Sequence, residues 1–355
     1  MKTLVTESED SNNIESTPTR ELTIIIVHFN ELQHMPDVLD SLASQIYKNF
    51  KLLIIDNMSE PENRRALQEL VRKYTELDIE LIFNKFNVYY TGGNNTGFKR
   101  LQTPYVCVMN PDIVFKPDFL LQAMSFFGSD YKPDMFTPKA KFYAMKNRIW
   151  YAGAEVTPLK KIFSHHVGIF KKDSAEFSTN HETDYANGAC LFIKKQVLDK
   201  IGFFDEILAI YSDDTDLSLR AKKSGFKVFY NGTCSFYHKV KMNYRETDKR
   251  ISVRNSKFLY YLLLRNSIII LWKDFPLHIV VESYATWVLY NLIAATILNL
   301  RYKMFHLLWI HLRAVVKGTI IGLRRRTHRS CHGIFKSEMR YIKQLRSAKP
   351  INKGA

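Results

Sequence analysis

The sequence predicts an α/β fold: a mostly parallel, doubly wound sheet flanked by helices, with a C-terminal helical region. Three observations carry this. Short β-branched runs recur at 22–30, 50–59, 79–84 and 103–112. Amphipathic stretches of helical spacing separate the first three, the alternation expected of a parallel sheet. From about residue 256 the chain turns to long apolar, aromatic and cationic segments.

The first run, "LTIIIVHFN", is too short for a helix and ends on polar residues, as a buried parallel strand does. "MPDVLDSLASQ" follows, with Val38, Leu39, Leu42 and Ile46 at helical spacing. "FKLLIIDNMS" reads as a second buried strand ending on Asp56, and "ENRRALQELVRKYTE" as an amphipathic helix. "IELIFN" is a third strand. "NKFNVYYTGGNNTGFKRL" (84–101) reads as a Gly/Asn-rich loop running into a helix; Gly92 and Gly93 would let the backbone approach a ligand, or form a plain turn. "YVCVMNPDIVF" is an apolar run interrupted by Asn110, Pro111 and Asp112. Residues 130–184 are aromatic-rich and give no assignment. "ACLFIKK" restores a strand, and Ser212 or Asp213 opens a helix that runs to Lys223 and closes at Gly225. "FKVFY" is a further strand, and "TCSFYHKV" extends the sheet edge. The expected division is a disordered leader over 1–20, a catalytic domain over 21–255, a helical membrane-associating region over 256–329 and a basic tail over 330–355.

The net charge is +16, which points to anionic partners: nucleic acid, phosphorylated small molecules or an acidic membrane surface. From residue 257 onward there are 17 Lys and Arg against three acids, Asp274, Glu282 and Glu338, so +14 of the +16 lies there. The four cysteines are widely spaced without a CxxC pair and read as buried thiols of a reducing compartment. The first twenty residues have no apolar core, so they read as neither signal peptide nor span, and the protein as cytosolic or cytosol-facing.

Ligands of such sheets bind at the carboxyl ends of the strands, where His28, Asn30, Asp56 and Asp112 fall. Asp213, Asp214 and Asp216 open a later helix. Each has an ordinary reading: Asp56 or Asp213 as a helix cap, Asp112 as a turn residue. Together they suit one reaction. A nucleotide-diphospho-sugar attacked at its anomeric carbon releases a diphosphate, whose charge calls for a divalent cation held by few protein oxygens. A second carboxylate must take the proton of the acceptor hydroxyl. A single displacement of this kind inverts the configuration.

The motifs "TIIIVHFNE", "LLIIDNMS", "NKFNVYYTGGNNTGF", "VMNPDIVFKPDFL", "DYANGACLFIKKQVLDKIGFFDE", "YSDDTDLSLRAKKSGF", "FYHK" and "LLLRN" occur in this order over about 22–266. As a set they resemble the inverting family 2 glycosyltransferases of the GT-A fold, in particular the bacterial rhamnosyltransferase-like branch. The resemblance implies that Asp56 reads the nucleotide base, with His28, Asn30 and Asn57 lining that pocket. It implies that Gly93, Asn94 and Asn95 touch nucleotide or diphosphate. Asp112 would hold Mg²⁺ or Mn²⁺, with Asn110 standing where relatives have a first acid. His238 would complete the metal or diphosphate site, unless it is an ordinary sheet-edge histidine. Asp214 would be the general base, preceded here by Asp213 where the family has Glu. Arg220 would order the acidic cluster or contact diphosphate. Tyr89 and Tyr90 depart from the branch, which has Gly-Phe. The implied donor is dTDP-L-rhamnose, with UDP-galactofuranose, UDP-glucose and UDP-N-acetylglucosamine open.

The C-terminal region contains one apolar stretch, 277–300, long enough to span a bilayer, but it carries His278 and Glu282. Trp272, Trp287 and Trp309 with flanking cations favour helices lying in the interface over a span or an ordinary helical subdomain. The expected setting is therefore the cytoplasmic face of a membrane, peripheral or monotopic. A lipid-linked glycan would be the acceptor, as in O-antigen or other polysaccharide biosynthesis, with self-association open. Rival readings are a nucleotidyltransferase, a nucleic-acid-binding protein and a non-catalytic scaffold. No Lys/Arg-bearing phosphate loop follows the first strand, the cations are interleaved with long apolar segments, and both Asp112 and Asp214 are kept.

Overall fold

The computed structural model describes residues 20–160, 163–240, 257–301, 305–327 and 331–347. The expected leader, apart from Arg20, and the end of the expected basic tail lie outside them. The described residues divide into two compact units. The first holds 20–155, 166–209 and 213–240; the second holds 156–160, 163–165, 210–212 and the described residues from 257 onward.

In the first unit the chain alternates as the apolar periodicity requires: β1 (Leu22–His28), α1 (Met35–Ala43), β2 (Phe50–Asp56), α2 (Pro61–Val71), β3 (Ile79–Phe83), α3 (Tyr89–Phe98) and β4 (Tyr105–Met109). There follow β5 (Ile113–Phe115), α4 (Phe119–Phe127), β6 (Met135–Phe142) and β7 (Ile149–Tyr151). Two short strands, β8 (Ala154–Val156) and β9 (Ser164–His166), lie where the chain passes between units. Then come β10 (His181–Glu182), β11 (Cys190–Lys194), α5 (Lys195–Ile201), α6 (Asp213–Lys223) and β12 (Val228–His238).

The large sheet runs β10-β12-β6-β11-β4-β1-β2-β3. It is parallel over β4, β1, β2 and β3, but β11 enters antiparallel to both β4 and β6. The sheet is therefore mixed, where the sequence predicted a mostly parallel one. Residues 130–184, left without assignment, supply β6 to β10. Their strands are short or lie amid turns, so no period emerges. "FKVFY" and "TCSFYHKV" belong to one strand, β12, which lies beside β6 and also pairs with β5 and β10. Its register breaks once: Asn231 pairs with Pro138 and Ser235 with Lys139, so Gly232, Thr233 and Cys234 bulge out. The Asn231 side-chain oxygen accepts from the backbone N–H of Thr233 and of Cys234, which fixes the bulge.

Ile25, Leu53, Ile55, Val106, Val108, Leu191, Leu217 and Phe98 form one buried core. All four cysteines are buried thiols outside any disulfide, with Cys107 and Cys190 Sγ atoms 3.8 Å apart. α1 ends at Ala43, so Ile46, expected on its apolar face, is 63% exposed.

The second unit is built on α7 (Lys257–Asp274), α8 (Leu277–Ser283), α9 (Leu289–Arg301), α10 (Phe305–Arg326) and α11 (His332–Ser347). α11 lies in what the sequence offered only as a basic tail. A π-helical turn, Tyr284–Val288, joins α8 to α9 inside the expected stretch 277–300. Among the described residues no helix is long and apolar enough to cross a membrane. α10 approaches α7 closely: a Cβ on Gly318 would lie 2.9 Å from the Arg265 carbonyl oxygen. The "LLLRN" motif lies on α7's buried face, which continues to Leu271. Asn266 donates to the Ile210 and Tyr211 carbonyls at 3.1 and 2.8 Å and accepts from Arg265, whose guanidinium reaches buried Glu338.

Candidate active site

β4 stops at Met109 because Pro111 has no N–H to continue the ladder. The chain turns and re-enters as β5, which pairs with β12 so that Ile113 faces His238. Asp112 and His238 are thereby brought together, with Nε2 of His238 3.1 Å from Oδ1 of Asp112. Burial pushes the Asp112 carboxyl up, but the bond from His238 and the charges of His238 and His34 outweigh it and hold the group below the usual carboxylate range. Nδ1 of His238 is buried without a partner among the described residues. Asn110 donates its backbone N–H to Ala189, and its side chain makes no hydrogen bond among the described residues. His238 is not an edge residue, since β12 is paired where it stands.

Among the described residues no group of three or more His, Cys, Asp or Glu is placed to hold a metal ion. Asp112 and His238 offer two donors. That suits an ion which takes its remaining ligands from a bound diphosphate and water, so a divalent cation fits the pair.

Asp214 sits in the first turn of α6 and is half-buried. Its Oδ2 accepts the Gly188 N–H at 3.0 Å and its Oδ1 the Thr215 N–H at 2.7 Å. Burial nevertheless raises its carboxyl above the ordinary range; the bonds from Gly188 and Thr215 oppose this without cancelling it. Gly188 is held from the other side by the Tyr90 hydroxyl, which donates to its carbonyl at 2.7 Å. Tyr90, one of the two departures from the branch pattern, thus supports the peptide on which Asp214 rests.

A wall links the two acids. Asn187, next to Gly188, directs its Nδ2 at Nε2 of His166 (3.3 Å), and Nδ1 of His166 donates to the Trp150 carbonyl (3.1 Å). The Trp150 ring meets the His166 ring edge-on at 4.8 Å and the His238 ring at 4.3 Å. The sequence reading missed Trp150 and His166, because their segment has no period. The motif "DYANGAC" was the available signal for Asn187 and Gly188.

The remaining expected site residues are placed otherwise. Asp56 ends β2 with its side chain wholly buried. It accepts from His28 Nδ1 at 3.0 Å, Ser59 N at 3.1 Å and Arg64 Nε at 2.8 Å. Burial raises its carboxyl, and the bonds from His28, Ser59 and Arg64 more than reverse that. His28 is equally buried. In this structure both form a buried hub, and Arg64 and Ser59 belong to that hub unpredicted. Asn30 sits at φ +54 and accepts the Glu60 N–H. Asn57 clasps the next loop, donating to Asn87 and Tyr89 and accepting from Asn84 and Val88.

Gly93, Asn94 and Asn95 lie inside α3, not in a ligand loop. A Cβ on Gly93 would fall 2.8 Å from Val27 and one on Gly97 2.8 Å from Ile25, so these glycines let α3 pack on β1. Asn94 is buried and donates to Tyr90 O. Asn95 is used up on Phe204 and Glu206. Arg220 reaches Asp216 and the carbonyls of Ile201 and Phe203, so it orders the acidic cluster, the first of its two expected roles, and ties it to that loop.

The profile of the family described as Glycosyl transferase family 2 matches residues 23–202. The amylovoran biosynthesis glycosyltransferase AmsB of Erwinia amylovora is 26% identical, covering 66% of this chain and 75% of its own. Rhamnosyltransferase WbbL of Escherichia coli is 23% identical, covering 58% and 79%. Among solved structures, the mannosyltransferase PcManGT of Pyrobaculum calidifontis, in complex with GDP-Man and Mn²⁺, has a TM-score of 0.53 at 14% identity, covering 86% of this chain and 88% of that one. GalNAc-T7 with UDP, GalNAc and Mn²⁺ has a TM-score of 0.54 at 11% identity over 72% of this chain, which spans 49% of that protein's length. These structural likenesses give the α/β fold, of GT-A type. The chain belongs to glycosyl transferase family 2 and is a glycosyltransferase.

Proposed function

We propose that the protein is a metal-dependent inverting transferase that moves a sugar from a nucleoside-diphosphate donor onto a glycan in cell-surface polysaccharide synthesis. One observation carries this: two carboxylates joined by one wall are pressed in opposite directions. Asp112 is held ionised by His238, and Asp214 is made more basic by burial. Paired acids with divergent environments are the mark of divided roles.

In this reading Asp112 and His238 hold a divalent cation, which would neutralise the departing diphosphate. Asp214 takes the proton of the acceptor hydroxyl. The freed oxygen bonds to the anomeric carbon as the bond from that carbon to the diphosphate oxygen breaks, on the opposite face. Gly188 and Tyr90 keep the base in place. dTDP-L-rhamnose is the first donor to try, in keeping with the rhamnosyltransferase among the relatives, and the UDP-sugars come next.

We further propose that the second unit rests on an anionic membrane surface. Trp309, Leu312, Val316, Ile320 and Leu323 are exposed at helical spacing along α10, which ends in Arg324, Arg325 and Arg326. An apolar stripe beside cations suits an interface, each cation adding on the order of 1 kcal/mol. The acceptor would then be lipid-linked. Flotation with anionic but not neutral vesicles, reduced in Val316→Asp, is expected; equal flotation with both would sink this part.

The test of the transferase reading is release of nucleoside diphosphate with Mn²⁺ or Mg²⁺ from dTDP-rhamnose, UDP-glucose, UDP-galactofuranose, UDP-N-acetylglucosamine and GDP-mannose, with thermal-shift binding in parallel. Metal-dependent release from one donor, lost in Asp112→Ala and Asp214→Asn, is expected. Neither release nor binding, with a salt-dependent shift of DNA or RNA instead, would overturn it.

A further inference from the structure

Trp150 is half-buried in the middle of the short strand β7, yet no hydrogen bond from its indole N–H forms among the described residues. Its ring packs nearly perpendicular to that of His238, on the Asp112 side, and to that of His166, on the Asp214 side. The holding is specific. His166 donates Nδ1–H to the Trp150 carbonyl, which leaves Nε2 to accept from Asn187. The Asn187 oxygen is meanwhile committed to the Ala189 N–H, which fixes the amide the right way round. A large aromatic body with a spare donor, fixed in the wall of a polar site, is unexplained by packing alone. It matches one chemistry. A sugar ring presents an apolar C–H face for an aromatic surface, and hydroxyls around its rim for an N–H donor.

We propose that Trp150 is the platform for a sugar ring of the reacting pair, with His166 and Asn187 as positioning residues. The inference rests on the transferase reading, in which the sugar lies between the ion-binding pair and the base. The ring could come from donor or acceptor, and the same measurement separates them.

The experiment compares wild type, Trp150→Ala and Trp150→Phe. Kd is measured for UDP and dTDP alone and for the nucleotide-sugars of the panel above. Release of diphosphate is followed with and without octyl glycosides of glucose, galactose and rhamnose. Unchanged Kd for the bare nucleotides shows each variant folded. A loss of roughly tenfold to a hundredfold in nucleotide-sugar affinity relative to the bare nucleotide in Trp150→Ala, largely restored in Trp150→Phe, assigns the platform to the donor sugar. An unchanged ratio with loss of octyl-glycoside stimulation assigns it to the acceptor. An unchanged ratio with no difference in stimulation overturns the inference while leaving the transferase reading intact. Failure of wild type to bind or use any nucleotide-sugar removes both.

Discussion

Nε2 of His238 lies 3.1 Å from Oδ1 of Asp112, although 126 residues separate them in sequence. The pair exists only because β5 and β12 run side by side. His238→Ala removes the bond and charge that hold Asp112 low, so its carboxyl moves up toward protonation. Affinity for Mn²⁺ is expected to fall roughly 10–100-fold, with a steeper loss below neutral pH. Calorimetric titration of Mn²⁺ in the presence of nucleoside diphosphate checks this; unchanged affinity would remove His238 from the site.

Asp214 offers a pH signature. Its raised carboxyl must be deprotonated to act, so the acid limb of kcat should lie above the ordinary carboxylate value of about 3.9. Asp214→Asn should cost on the order of 10²–10⁴ in kcat with the nucleotide Kd unchanged. The stability sign is the reverse of the usual acid. A buried carboxyl with a raised folded pKa favours the native state when protonated and loses that contribution as pH rises through it. The Tm of Asp214→Asn relative to wild type should therefore climb between acid and neutral pH. A flat difference would contradict the burial argument.

Asp56 should behave as a structural hub. Asp56→Ala leaves Arg64 and His28 without their shared acceptor, and breaking a buried pair costs about 3–5 kcal/mol. Because its folded carboxyl is lowered, its contribution is present above about pH 3.9 and is lost as pH falls through the native value. Urea unfolding at neutral pH is the check. A soluble variant of wild-type stability with selectively weakened nucleotide binding would restore the base-reading role.

Gly93 separates two readings of the "GGNN" segment. Gly93→Ala drives a methyl into Val27 across the α3–β1 contact and should destabilise by about 1–3 kcal/mol, with little change in donor KM among the folded molecules. A raised KM at unchanged Tm would return the segment to ligand binding.

The first strands were legible because β-branched runs such as 22–28 and 50–56 are short, continuous and bounded by polar residues. Asp112, His238 and Asp214 were legible as residue types in family order. What the residue types did not give was their environment. The partners of Asp56, Asn95 and Arg220, namely Arg64, Phe204 and Ile201, are set by tertiary packing. The glycines of α3 looked like loop residues because propensity was read without the strand they must approach. The wall around Trp150 was hidden because strands as short as β7 carry no measurable period.

The bulge at Gly232–Cys234 acts as a phase setter for the chemistry. Along β12 the inward positions from its last residue onward are Cys234, Phe236 and His238, while Ser235 and Tyr237 face the other way. Side chains alternate with a period of two. One residue gained between Asn231 and His238 would bring Tyr237 opposite Asp112, and one lost would bring Lys239 there; either turns the imidazole away. The residue count of that short interval is therefore fixed in parity. Insertion of a single residue there is expected to weaken Mn²⁺ binding more than insertion of two.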